Sequence, residues 1–228
     1  MKRLLVFLLF NIGFGVSPAQ AGGMNILQEQ CASCHALYGP APQTLSQFKA
    51  RQGPDFFYAG NKYRKAWLVQ WLQNPKRIRP AGIFYRDHIK PGEKRDEIDL
   101  STLKPHIILD KSSAESVAEA LMQLKANSEL IAGAAFVPAG ASLGEMSFDK
   151  FYGCLGCHQI EPGYGGLSGP EVYTAARRLT PEYMSSFIAN PQAWDPKTLM
   201  PKRDLQEGNI RNLVNYMLDL SKEDWDEK

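Results

Sequence analysis

Cys31-Ala-Ser-Cys34-His35 and Cys154-Leu-Gly-Cys157-His158 are one five-residue pattern written twice, and together they use all four cysteines of the 228-residue chain. Thiols three positions apart lie on successive faces of one helical turn, where each can add to a vinyl group of the same porphyrin. The histidine that follows points an imidazole at the iron. The pattern therefore reads as covalent haem attachment, with Cys31, Cys34, Cys154 and Cys157 as thioether anchors of two haems c and His35 and His158 as proximal ligands. A disulfide framework, a redox Cys-x-x-Cys pair and a four-cysteine zinc site are the rival readings. None of them requires a histidine directly after the second cysteine, at both sites.

Residues 1–21 have the layout of a secretory signal. Lys2-Arg3 precedes an apolar run from Leu4 to Val16, and Ala19-Gln20-Ala21 supplies a small-residue cleavage pattern. The apolar run falls short of the ~20 residues that a spanning helix needs. The expectation is a soluble periplasmic protein without stable membrane insertion. Residues 22–228 carry 24 basic and 24 acidic side chains, so the net basicity that marks nucleic-acid partners is missing. The halves differ: residues 22–130 sum to +4 and residues 131–228 to −4. Such a dipole can orient a molecule approaching a redox partner, although ordinary surface variation produces similar asymmetries.

The repetition extends beyond the pentapeptides. At an offset of 116, Gly53-Pro54 falls on Gly169-Pro170 and Asn74-Pro75 on Asn190-Pro191; at an offset of 96, Thr102-Leu-Lys-Pro-His106 falls on Thr198-Leu-Met-Pro-Lys202. A whole domain was duplicated, and the first copy gained about 20 residues between the two blocks. The gain includes the charged stretch from Arg86 to Asp99, read as a surface loop. The domains are expected at 22–130 and 142–228, joined by a linker at 131–141 rich in Ala and Gly.

Periodicity within each half is helical, and no run alternates strongly enough to be a confident strand, so the fold class is all-α. Tyr63, Trp67, Leu68, Trp71 and Leu72 predict one face of a helix that stops near Asn74, because Pro75 disfavours helical geometry in the residue before it. Thr180-Pro181-Glu182 predicts the start of its partner. Terminal helices follow in both halves, one carrying Val117, Leu121 and Leu124 and the other Ile210, Leu213, Val214, Met217 and Leu220.

With these features in place, the sequence resembles two class I cytochrome c domains in tandem, each wrapped around one haem, and is similar in layout to the dihaem cytochromes of the c4 type. The resemblance covers essentially all of residues 22–228. It implies that the Pro170 carbonyl accepts the Nδ1 hydrogen of His158, with Pro54 as the corresponding acceptor for His35. It also implies a distal methionine on a loop before the terminal helix. Met200 is that residue, since it alone among the methionines of residues 22–228 lies in a predicted loop, between Pro196 and Pro201. The other five, Met24, Met122, Met146, Met184 and Met217, fall in predicted helices, where core filling is the default.

The first half departs from the pattern: Lys104 stands in the place of Met200. His106, two residues on, is the candidate sixth ligand opposite His35. His88 in the charged stretch competes with it, and Met122, Lys104 or an open site remain further alternatives.

The leading function is electron transfer between periplasmic redox proteins, with a His/His haem in domain 1 and a higher-potential His/Met haem in domain 2. The alternative is a haem enzyme or enzyme subunit whose domain 1 haem is open or weakly ligated and acts on peroxide or a small sulfur or nitrogen compound. No acid and base pair near the motifs supports it, so a carrier is favoured over a catalyst. The basic residues Lys62, Arg64, Lys65, Lys76, Arg77 and Arg79 could form a docking face for a partner enzyme.

Overall fold

The structure is a computed structural model that describes residues 18–132, 136–138 and 143–225. Most of the expected signal segment and much of the expected linker lie outside the described residues.

The described chain is mostly helical, with short strands and no barrel. In the first half α1 (Pro18–Ile26) runs into a π-turn ending at Cys31. Then come α2 (Leu45–Lys49), α3 (Ala59–Lys62), α4 (Lys65–Gln73), the antiparallel pair β1 (Ile89–Lys90) and β2 (Glu97–Ile98), and α5 (Lys111–Gln123). The second half runs α6 (Gly144–Met146), the pair β3 (Gln159–Glu161) and β4 (Tyr164–Gly165), α7 (Ala175–Arg178), α8 (Pro181–Ala189), α9 (Pro191–Trp194) and α10 (Glu207–Leu220). The stretch from Arg86 to Asp99, expected as a loop, folds on itself as the β1–β2 hairpin. Among the described residues no helix is long and apolar enough to cross a membrane.

Local chemistry sets the helix ends. Asp110 caps α5 by accepting the Ser113 amide hydrogen at 3.0 Å, and Thr180 caps α8 through the Tyr183 amide at 3.3 Å, with Pro181 at the first helical position. The chain leaves helical geometry at Asn74 and Asn190, each followed by a proline that disfavours helical geometry in the residue before it.

Each half has its own core. Leu27, Leu68, Leu72, Val117 and Leu121 lie in the first, and Phe148, Met184, Leu213, Val214 and Met217 in the second. In both, the first and last helices cross at a glycine. A Cβ on Gly23 would sit 2.0 Å from the Ser116 carbonyl oxygen of α5, and one on Gly144 would sit 2.8 Å from the Asn212 carbonyl oxygen of α10. Ser116 and Asn212 are equivalent at the offset of 96, so the crossing itself is duplicated. Met146, expected in a core, is about half exposed.

The halves meet about a local two-fold relation. Tyr63 and Leu179, equivalent at the offset of 116, face each other in an antiparallel bridge. On either side the Arg64 amide donates to the Arg178 carbonyl at 2.8 Å and the Thr180 amide to the Lys62 carbonyl at 3.0 Å. These two bonds are repeat images of one another. A third apolar cluster built from Phe57, Tyr58, Tyr183 and Trp194 closes over them. Tyr63 therefore leaves the helical stripe expected of it: it ends α3 in extended geometry, and α4 begins two residues later.

A candidate pair of haem sites

The two motifs wind identically. In the first, the amides of Cys34 and His35 both donate to the Cys31 carbonyl at 3.0 Å; in the second, those of Cys157 and His158 both donate to the Cys154 carbonyl at 3.1 Å. One tight turn thus brings both thiols and the imidazole of each motif together. The four thiols are free, and burial pushes those of Cys31 and Cys154 above the usual thiol range. A redox Cys-x-x-Cys pair needs the opposite shift. Among the described residues no three His, Cys, Asp or Glu side chains converge to hold a metal ion.

Each histidine is oriented by a carbonyl. Nδ1 of His35 lies 2.8 Å from the Pro54 oxygen and Nδ1 of His158 lies 2.7 Å from the Pro170 oxygen. A carbonyl can only accept, so Nδ1 carries the proton and Nε2 keeps its lone pair for a metal. The preceding glycine makes room: a Cβ on Gly53 would lie 2.3 Å from the His35 ring, and one on Gly169 would lie 2.7 Å from that of His158. Burial lowers the pKa of both imidazoles, that of His35 to about 4, so both are neutral donors at ordinary pH.

The distal sides differ. The His106 ring stands 6.2 Å from that of His35, centroid to centroid, with the planes at 61°. Metal–imidazole bonds of ~2 Å on opposite sides of one iron set ring centroids about 6 Å apart, so this pair has the spacing of two axial ligands. Nδ1 of His106 donates to the Ile107 carbonyl at 2.8 Å, which again leaves Nε2 as the free donor. His88, the rival, makes no ring contact with His35; its Nδ1 pairs with Thr102 Oγ1 at 2.8 Å.

In the second half the ring nearest His158 is Phe148, edge-on at 6.2 Å. Met200 is half-buried on the loop before α10. Its carbonyl accepts from Gln192 Nε2 at 2.9 Å, which ties the loop to α9. The residues of the first half thus bring two imidazoles to the spacing a haem iron would need, and both halves place two thiols beside a histidine whose Nδ1 is engaged.

Several residues at the joint had no distinguishing signal in the sequence. Arg51 bonds Asp55 at 3.0 Å within its own half and Asp195 at 2.8 Å in the other, and all three side chains are buried. Lys62 is ringed by Tyr63, Tyr183 and Tyr58, with its ammonium 4.9, 5.5 and 5.6 Å from their centroids. Of the six cations of the expected docking face, Lys62 is thus engaged at the joint. Besides Lys62, Arg64 Nε donates to the Leu179 carbonyl, Lys65 pairs with Glu119, and the buried Arg79 reaches the Ile83 and Ser168 carbonyls. Arg64 and Arg79 thus reach across to the second half, whereas Lys65, Lys76 and Arg77 are exposed on the first.

Compared with known proteins, the chain matches no family model, no curated protein and no solved structure.

Proposed function

We propose that the chain is a dihaem c-type cytochrome that carries electrons between periplasmic redox proteins. Its two tandem class I cytochrome c domains would each hold one covalently attached haem. The observation that carries this reading is the pair formed by His35, with Nδ1 engaged by Pro54, and His106 opposite it at ligand spacing. When bound, each haem supplies a one-electron ferric–ferrous couple.

The chain's own residues do the rest. Cys31, Cys34, Cys154 and Cys157 anchor the groups covalently. The Pro54 and Pro170 carbonyls fix the tautomers of His35 and His158 and raise their basicity as ligands. His106 and Met200 would supply the second protein ligand of each haem, which would leave a substrate no iron site and favours a carrier over an enzyme. Methionine raises the potential of the second site relative to the His/His first site. The bridge at Tyr63 and Leu179 and the buried Arg51–Asp195 pair hold the halves in one relation for transfer between them.

The test is haem content. Protein exported by a host that matures c-type cytochromes should carry two acid-stable haems by intact mass, and the double variant Cys31→Ala/Cys34→Ala should carry one. A chain that stays haem-free while its signal is cleaved would overturn the reading.

A further inference from the structure

We infer that Phe56 and Trp71 are positioning residues that hold His35 and His106 as a crossed imidazole pair, fixing the electronic structure of the first site. The inference rests on the His35/His106 ligation proposed above and goes beyond it.

Two rings clamp the pair from different directions. Phe56 lies face to face on His35, with centroids 4.0 Å apart and planes 6° from parallel. Its own backbone amide donates to the Ala36 carbonyl at 2.8 Å, which ties it to the residue after the motif histidine. Trp71 meets His106 edge-on at 4.7 Å and 63°. Its indole Nε1 donates to the Lys76 carbonyl at 2.8 Å, locking the ring to the chain that leaves α4 past Pro75. Behind Trp71 a ladder continues, with Trp67 at 5.5 Å and then Tyr63 at 5.8 Å, ending on the bridge between the halves. Within α4, Leu68 and Leu72 are the buried core positions, while Trp67 and Trp71 pack against that core only partly buried.

The consequence follows from orbital geometry. Each imidazole donates π density into the iron d orbital perpendicular to its own plane. Parallel rings act on one orbital and split the pair widely, which gives a rhombic ferric signal. Crossed rings act on both and leave them close in energy, which gives a strongly axial one. The 61° between His35 and His106 belongs to the crossed case. Without Phe56 only the single hydrogen bond to Pro54 holds the His35 plane, and without Trp71 only the one to Ile107 holds the His106 plane, and one hydrogen bond to a carbonyl leaves a ring some freedom to tilt.

The clamp is confined to the first half. The repeat partners of Phe56 and Trp71 at the offset of 116 are Val172 and Phe187. Val172 has no ring, and Phe187 packs on Tyr183 in the joint at 5.5 Å.

The experiment is low-temperature EPR of the ferric holoprotein and its variants. The wild type should show one strongly axial low-spin signal beside that of the second haem. Trp71→Leu and Phe56→Leu should each convert it to a rhombic or broadened signal and leave the second haem's signal unmoved. Trp71→Phe, which keeps the edge contact but loses the anchor to Lys76, should broaden it less, and Phe56→Tyr should restore the wild-type line. If the axial signal survives both leucine variants, or the wild type is rhombic, the clamp is wrong. His106→Ala separates the two levels: loss of the axial signal there upholds the ligation even if the clamp fails. Its persistence in His106→Ala overturns the ligation and the clamp together.

Discussion

The two halves repeat their attachment turns, their Nδ1 acceptors and their helix crossings, yet on the far side of the histidine they part. His35 faces a histidine and is stacked on Phe56, whereas His158 has Phe148 edge-on, and the second half carries Met200 where the first carries Lys104. The attachment turns are made by bonds within a few residues, and the Nδ1 acceptors and helix crossings by positions that the repeat keeps in register, so they survive duplication almost unchanged. The distal side is delivered by a loop, and there the first half carries about 20 extra residues, the β1–β2 hairpin among them. Loops tolerate such change because their ends, not their course, are constrained by the core. A duplicated fold can thus keep the chemistry of attachment while tuning one site separately from the other.

The largest effect that sharpens this comparison lies at the joint. Arg51→Met strands both Asp55 and Asp195 in buried surroundings and should cost about 3–5 kcal/mol. Arg178→Met, which strands Glu171 alone within the second half, should cost a similar amount. Only Arg51→Met should separate the thermal unfolding of the halves into two calorimetric transitions. One transition in both variants would mean that the third cluster alone couples them.

Acid acts on what the halves share. Burial holds His35 at about 4 against an ordinary value of 6.5, and lowers His158 as well. The unfolded chain therefore binds more protons than the folded one between these values. The stabilisation is complete above pH 6.5 and is lost as pH falls toward 4, by up to about 3 kcal/mol for His35. Iron bound to the imidazole favours the same neutral form, so the sign is unchanged in the holoprotein. Denaturant midpoints at pH 7 and 4.5 measure it, and equal midpoints would refute it.

The smallest effect separates two equivalent helices. Thr180 caps α8, whereas its counterpart Arg64 gives α4 no side-chain cap. Thr180→Ala should cost about 1 kcal/mol, while Arg64→Ala should cost less, measured as shifts in the chemical-denaturation midpoint.

Much of this was legible in the sequence because the signals are local. The motif turns follow from Cys-x-x-Cys-His, the end of α4 from Asn74-Pro75, and the start of α8 from Thr180-Pro181. The glycine before each proline gave no hint that its missing side chain admits the histidine ring. The joint was harder to see. Tyr63, Trp67 and Trp71 have helical spacing, and nothing local says that Tyr63 would instead pair with its own repeat image. Arg51 and Asp195 are 144 positions apart and look like ordinary surface charges until the halves are brought together. Lys62, Arg64 and Arg79 stand in a basic run, and charge patterning does not reveal which of its cations will reach a second domain.

The central claim is that two identical attachments carry unlike distal ligands, and a spectroelectrochemical titration of the holoprotein tests it most directly. The account predicts two one-electron steps, the lower one altered only by His106→Ala and the higher one only by Met200→Ala. A single potential shared by both haems, or a lower step that His106→Ala leaves in place, would contradict it.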